Sequence, residues 1–279
     1  MAEVRTTPGV KAALTIAGSD SSGGAGLQAD LRTLAVMGVH GASAVTAITA
    51  QNTKAVKESQ ALAPKLVDAQ IDAVAGDLLL SATKTGMLAN ADLVRTVARA
   101  ISRHNLFPLV VDPVMVSKSG DSLIDDAAVS ALRDKLLPQA ALITPNAQEA
   151  ARLVDRDRDV DNVQAAGEVG REICQKLKVK ACLVTGLHRP NDEEGEAVDV
   201  LCDADGTQEL TAEWRQTNHT HGAGCVLSAA ITGGLALEQP LEEAIETGRN
   251  LVAEAIRQAT DLGQGHSPVN PMAWMAVKK

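Results

Sequence analysis

The sequence predicts an α/β fold of three layers, a mostly parallel central sheet with helices on both faces and a small antiparallel β edge. Three observations carry this prediction. Short apolar runs such as Ala12–Ala17 and Leu109–Val111 stop on a glycine turn or a polar residue, and apolar residues at helical spacing follow them. At least five such strand-then-helix alternations succeed one another, the pattern of parallel β-α-β units. Late in the chain, Ala197–Leu201 and Glu209–Trp214 flank Asp203-Ala-Asp-Gly206, which reads as an antiparallel hairpin.

Composition sets the class of partner. With 279 residues and 45% hydrophobic content the chain buries a sizeable core, read as one domain over 12–279 behind a flexible polar tail, 1–11. One Phe, two Trp and no Tyr leave a core of Ala, Val, Leu and Ile and exclude a base-stacking platform. A formal charge of -9 speaks against nucleic acid and acidic membrane surfaces as partners. Cysteines 174, 182, 202 and 225 show no C-x-x-C spacing, and neither a signal peptide nor an apolar run of about 18 residues appears. The expectation is a reduced, cytoplasmic protein that acts on small molecules.

Taken in order, Ala12–Ala17 is a buried strand that ends in Gly18-Ser-Asp-Ser-Ser-Gly-Gly-Ala-Gly26, and Leu27, Leu31, Leu34, Ala35 and Val39 mark the helix beyond it. Gly18 and Gly23 have the outer spacing of a P-loop, but Gly24 and Ala25 stand where Lys and Ser/Thr are required. The dinucleotide pattern G-x-G-x-x-G is absent too. The turn is either a plain strand-to-helix connection or a backbone wall for a flat small molecule, with Asp30 one turn into the helix as a polar contact.

Residues 42–49 read as the next strand, with Gln51 at its carboxyl end, where ligands bind in open α/β sheets. Gln51 is either a solvated loop residue or a donor and acceptor for an aminated heterocycle. A helix follows from Pro64, a strand and loop over Ser81–Leu88, and a helix over Leu93–Ile101. The run Leu109-Val-Val ends on Asp112, placing that carboxylate at the same sheet end as Gln51. A loop, Pro113–Gly120, carries Lys118; Leu123–Leu137 is helical by spacing until Pro138. Ala141–Thr144 is another strand, and Asn146 and Glu149 share a helix face, as site residues or as a capping box. A helix to Lys178 and the strand Ala181–Thr185 precede the hairpin, and a long helix face marked by Leu241, Ile245, Gly248, Val252, Ala255, Ala259 and Leu262 closes the chain.

Between hairpin and last helix lies Asn218-His-Thr-His-Gly-Ala-Gly-Cys-Val-Leu-Ser-Ala-Ala230. Gly222, Ala223 and Gly224 form a turn whose backbone N–H groups can converge on an anion at a helix start, phosphate being the natural ligand. Cys225 falls at that N-terminus, where the dipole favours thiolate, so it is either a proton acceptor or an inert core cysteine.

Ala17–Asp30, Lys84-Thr-Gly-Met-Leu88, Val111-Asp-Pro-Val-Met115, Thr144-Pro-Asn146 and Thr220-His-Gly-Ala-Gly-Cys225 together resemble the hydroxymethylpyrimidine/phosphomethylpyrimidine kinases of thiamine biosynthesis, of the ribokinase superfamily. The match runs from about 12 to 270. The resemblance implies a ribokinase-like fold and transfer of phosphoryl groups from ATP to a hydroxymethylpyrimidine and then to its monophosphate. It implies that Gln51 and Asp30 hold the pyrimidine against walls at Gly18, Met87 and Val114. It also implies that Asp112 and Glu149 serve Mg2+, that Asn146, Thr185 and Lys118 serve ATP, that Cys225 is the base, and that the protein is a homodimer. The superfamily usually has aspartate where Cys225 stands, and cysteine is the choice of its pyrimidine kinases.

His219 and Ala223 depart from the family's usual Asn and Thr, and Thr185 from a frequent Lys. His219 and His221, lacking a carboxylate nearby in sequence, read as loop residues. The nearest alternative is a pyridoxal kinase of the cysteine-containing branch; a non-catalytic pyrimidine sensor and a nicotinamide enzyme fit less well.

Overall fold

The computed structural model describes residues 9–116, 123–156, 159–189, 195–214 and 216–277. Lys118 and residues 1–8 of the expected tail lie outside them. The chain begins with β1 (Ala12–Ala17), α1 (Gly26–Met37) and β2 (His40–Val45). A ribbon of β3 (Ala47–Gln51) and β4 (Val56–Ala61) follows, then α2 (Pro64–Ala75), β5 (Leu80–Thr85), α3 (Ala91–His104) and β6 (Leu109–Val111). Next come α4 (Asp126–Ala131), β7 (Leu142–Ile143), α5 (Ala147–Leu153) and α6 (Val163–Leu177). The chain closes with β8 (Cys182–Arg189), β9 (Glu196–Cys202), β10 (Thr207–Glu213), α7 (Ala223–Ala236), α8 (Leu241–Arg257) and a short α9 (Trp274–Val277).

Eight strands form one sheet in the order β10-β9-β8-β7-β6-β5-β1-β2, parallel from β2 to β8 and antiparallel across β8, β9 and β10. This is the predicted parallel sheet with an antiparallel edge. All residues of β1 are buried because helices cover both faces of the central strands. On one face Ala13 and Ala82 pack with Leu34 of α1 and Val226 and Ala230 of α7. On the other, Leu14, Ile16 and Val111 pack with α2 to α6. Local chemistry fixes the ends: Asn90 caps α3 by accepting from the Leu93 amide, and Gly38, at φ 84°, lets the chain leave α1.

Three predicted elements differ. The strand expected over 42–49 breaks at Thr46, whose amide bonds the Ala17 carbonyl and whose hydroxyl donates to the Met87 carbonyl. Beyond that pin, β3 leaves the main sheet and pairs with β4 alone. The helix expected over 123–137 starts only after Asp125 caps the Ala128 amide, and it loosens into a π turn at Leu132–Leu136 and a 3-10 turn at Leu137–Gln139, where Pro138 supplies no N–H. The last long helix stops at Arg257; Leu262 is exposed in a loop held by the Ser267 hydroxyl.

Candidate active site

A cleft of about 1060 Å³ opens at the carboxyl ends of the parallel strands, the place α/β sheets reserve for ligands. Five strands each deliver one feature to it: Gly18 follows β1, Met87 follows β5, Asp112 follows β6, Asn146 follows β7, and Thr185 lies in β8. A Cβ on Gly18 would lie 2.6 Å from Met87 Cε, so the missing side chain is what lets the methionine form that wall. Val114 lines the cleft beyond Asp112. Gln51 reaches it from β3, its side-chain carbonyl accepting from the Thr49 hydroxyl at 3.2 Å and its backbone tied to the Ser21 hydroxyl at 2.8 Å. It is thus a fixed, half-buried wall residue rather than a solvated one.

The turn before α7 borders the same space through Gly222, Ala223, Gly224 and Cys225. Gly222 is the N-cap at φ 79°, and a Cβ there would come within 2.0 Å of the Gly24 carbonyl oxygen. Only glycine permits this approach of the two glycine-rich turns. The first turn of a helix carries amide donors without helical partners, and here that end borders the cleft.

Of the two readings of Cys225, burial disfavours a resting thiolate. Burial pushes its thiol up to about 12; Lys84 and a hydrogen bond from the Gly26 amide pull down, while Asp112 and Asp30 add to the rise. The helix terminus does not overcome the cover of protein around the sulfur, and the resting group is a thiol.

Asn146 and Glu149 are both a capping box and cleft residues. Each side chain accepts from the other's amide at 3.0 Å, and Glu149 also accepts from the Met115 amide at 3.2 Å. Burial, then the charge of Asp112, raises the Glu149 carboxyl to about 8. Asp112 is raised as well, by burial and by Asp30, against the pull of Lys84 and a 3.1 Å hydrogen bond from the Ser228 hydroxyl. Among the described residues no cluster of three His, Cys, Asp or Glu side chains is placed to hold a metal.

One expectation is corrected, and the two loop histidines gain partners. Asp30 does not reach the cleft: it is fully buried in α1, where Lys84 Nζ donates to it at 2.6 Å and the Thr15 hydroxyl at 2.7 Å. A carboxylate this deep needs a partner, and the partner is internal. The histidines do have carboxylates, supplied by distant parts of the chain: His221 Nε2 lies 2.8 Å from Asp20 and His219 Nε2 2.8 Å from Asp261. Thr185 bonds through its amide to the Pro145 carbonyl at 2.9 Å, beside Asn146.

Sequence reasoning assigned no role to Lys84, Asp20 or Ser228. Lys84 alternates with Ala82 along a strand and stands two residues before Gly86; a lysine on the apolar side of a strand was the available signal. Nothing in the small-residue face of α7 singles out Ser228. Trp214 and His188 also border the cleft and pair their rings, with centroids 3.9 Å apart.

A parallel sheet covered on both faces, an antiparallel edge, and one cleft bordered by a glycine turn and by Asp112 and Glu149 define a ribokinase-like kinase. Residues 20–270 match the family model described as phosphomethylpyrimidine kinase. The chain is 45% identical to the hydroxymethylpyrimidine/phosphomethylpyrimidine kinase of Synechococcus elongatus, over 93% of this chain and 97% of that one. It is 41% identical to the protein of the same name from Bacillus subtilis, over 94% of this chain and 95% of that one. The fold matches an ADP complex of Bacillus subtilis pyridoxal kinase with a TM-score of 0.85 at 34% identity, covering 95% of this chain and 98% of that one. The chain belongs to the phosphomethylpyrimidine kinase family.

Proposed function

We propose that the protein, acting as one unit over 12–279, transfers the γ-phosphoryl group of ATP to the hydroxymethyl oxygen of 4-amino-5-hydroxymethyl-2-methylpyrimidine. A second transfer onto the monophosphate then gives the diphosphate used for thiamine biosynthesis. The observation that carries this reading is the single cleft in which Gln51, Gly18 and Met87 stand with the Gly222–Cys225 anion loop. Gln51 offers amide hydrogen-bonding groups to an aminated ring, and Met87 and Val114 offer apolar walls. Asn146 and Thr185 border the phosphate path, and the Trp214–His188 pair offers the purine an aromatic wall. Lys118 is assigned to ATP on the family resemblance alone.

In the first transfer the substrate oxygen bonds to phosphorus as the bond from phosphorus to the ADP oxygen breaks, and the hydroxyl proton passes to Cys225 Sγ. A loose transition state releases that proton late, so a small thiolate fraction serves. Amides of the anion loop stabilise charge on the transferring group. Asp112 and Glu149 would hold Mg2+: two acids with hard oxygens, each raised by burial and Glu149 further by its neighbour, suit a small cation that keeps waters and takes phosphate oxygens for its other ligands. When bound, Mg2+ neutralises charge on the phosphates.

The homodimer reading draws support from the exposed ribbon of β3 and β4, where Ile48 is 55% exposed, and from β10 at the sheet edge. The cytoplasmic reading draws on the reduced cysteines; no described helix is long and apolar enough to cross a membrane. The second reading, a pyridoxal kinase, is favoured by the fold match to that enzyme. Comparing kcat/KM for the pyrimidine and for pyridoxal with Mg-ATP separates the two. A preference for the pyrimidine is expected, and a preference for pyridoxal replaces the first reading with the second.

A further inference from the structure

Beneath the anion loop lies an ion pair that the phosphoryl-transfer chemistry above leaves without a task. Lys84 is 1% exposed and Asp30 0%, and both sit on the sheet face that α1 and α7 cover, the face of Ala13, Ala82 and Val226. Thr15, from the neighbouring strand, donates its hydroxyl to the second oxygen of Asp30 at 2.7 Å. Lys84 Nζ therefore has a fixed position, set by a carboxylate that is itself held from a second side. Gly86 keeps the space beside it open, because a Cβ there would lie 3.4 Å from Nζ and 3.0 Å from the Ala17 Cβ. Lys84 and Cys225 both border the cleft.

Two buried charges exposed to no solvent are a poor source of stability, since desolvation offsets most of their attraction. The pair is better explained by its place: β5, which carries Lys84, packs against α7, which carries Cys225 in its first turn, and both residues border the cleft. The charged and titratable groups acting on the Cys225 sulfur are Lys84 from β5, Asp112 from the end of β6 and Asp30 from α1, joined by the Gly26 amide at the start of α1. The cation opposes the two carboxylates.

We propose that Lys84 is a positioning residue for the first transfer: clamped by Asp30 and Thr15, its ammonium is the fixed countercharge that allows Cys225 to carry negative charge. Asp30 sets the strength of that countercharge, since it holds Lys84 in place and also opposes it. Burial alone would lower the Lys84 ammonium, but the Asp30 carboxylate bonded to it outweighs burial and holds the group above the usual lysine range, so the charge persists at every working pH. The inference rests on Cys225 as proton acceptor, and its test needs no turnover.

The test is the pH dependence of iodoacetamide alkylation at Cys225, read by mass on the peptide that contains it, in the full chain. Lys84→Met/Asp30→Asn removes both charges and keeps the volumes, which spares the fold the cost of a lone buried charge. Alkylation at a fixed pH is expected to slow about tenfold, the equivalent of one unit in the thiol's pKa. Asp30→Asn alone removes an anion and leaves the cation, so alkylation is expected to speed up several-fold. Loosened packing would expose the sulfur and speed both variants. An unchanged profile in the double variant, or a faster one, overturns the proposal. The parent's turnover with Mg-ATP is recorded separately: a parent that makes no product removes the functional reading while the alkylation result still decides the role of Lys84.

Discussion

The imidazole of His221 lies 2.8 Å from the carboxylate of Asp20, 201 positions earlier in the chain, and both side chains are buried. This contact ties the first glycine-rich turn to the anion loop. Asp20 also accepts from the Ser22 amide and hydroxyl and from the Ala25 amide, while the backbone of His221 bonds Ser267 and Val269. Burial pushes the Asp20 carboxyl up, but its bonds from His221, Ser22 and Ala25 prevail and hold it below the usual range.

Breaking this contact is expected to act on both turns together. His221→Ala leaves a buried carboxylate with one partner fewer, at a cost of about 1–3 kcal/mol in denaturant unfolding. In a double-mutant cycle with Asp20→Asn, a coupling of about 0.5–3 kcal/mol is expected, and strict additivity would contradict it.

Gly222→Ala is expected to be more damaging to function than to folding. The left-handed conformation costs a non-glycine residue about 1–3 kcal/mol. The added Cβ would also meet the Gly24 carbonyl at 2.0 Å and push the anion loop away from the cleft. A rise of the ATP KM by tenfold or more, with the variant still folded, is the expected result.

Glu149 gives a pH dependence of stability with a definite sign. Its folded-state pKa, about 8, lies above the ordinary 4.5, so between these values the folded chain binds more protons than the unfolded one. Stability from this group is complete below about pH 4.5 and is lost as pH rises through 8. Without Mg2+, Glu149→Gln is expected to flatten the fall of the unfolding free energy between pH 5 and about pH 8, measured by urea titration.

The two transfers are expected to separate at Cys225. The first acceptor is a hydroxyl and must lose a proton; the second is a phosphate oxygen that is already ionised near pH 7. Cys225→Ala is therefore expected to slow the first transfer about 10²–10⁴-fold and to leave the second, started from the monophosphate, within a few-fold. Because the thiol stands at about 12, the first rate in the parent rises with pH through the neutral and alkaline range. Equal losses in both transfers would remove Cys225 as the base.

The order of elements, the parallel sheet, the hairpin and the glycine turn before α7 were legible because each depends on local periodicity, on glycine, or on a polar residue ending an apolar run. The cap of α5 by Asn146 and Glu149 was legible for the same reason, three residues apart on one turn. The partners of His221 and Lys84 were not, because Asp20 and Asp30 lie 201 and 54 positions away and only the packing of α1 against α7 and β5 brings them near. The state of Cys225 stayed open in the sequence because a helix terminus is visible there and the burial that opposes it is not. The break at Thr46 depends likewise on a hydrogen bond to Met87, 41 positions on.

A mass-resolved time course tests the central claim most directly: purified protein with Mg-ATP and 4-amino-5-hydroxymethyl-2-methylpyrimidine, with Cys225→Ala in parallel. The predicted result is monophosphate first and diphosphate after it in the parent, with neither accumulating in the variant. A parent that forms no phosphorylated pyrimidine, while phosphorylating pyridoxal or nothing, would contradict the account.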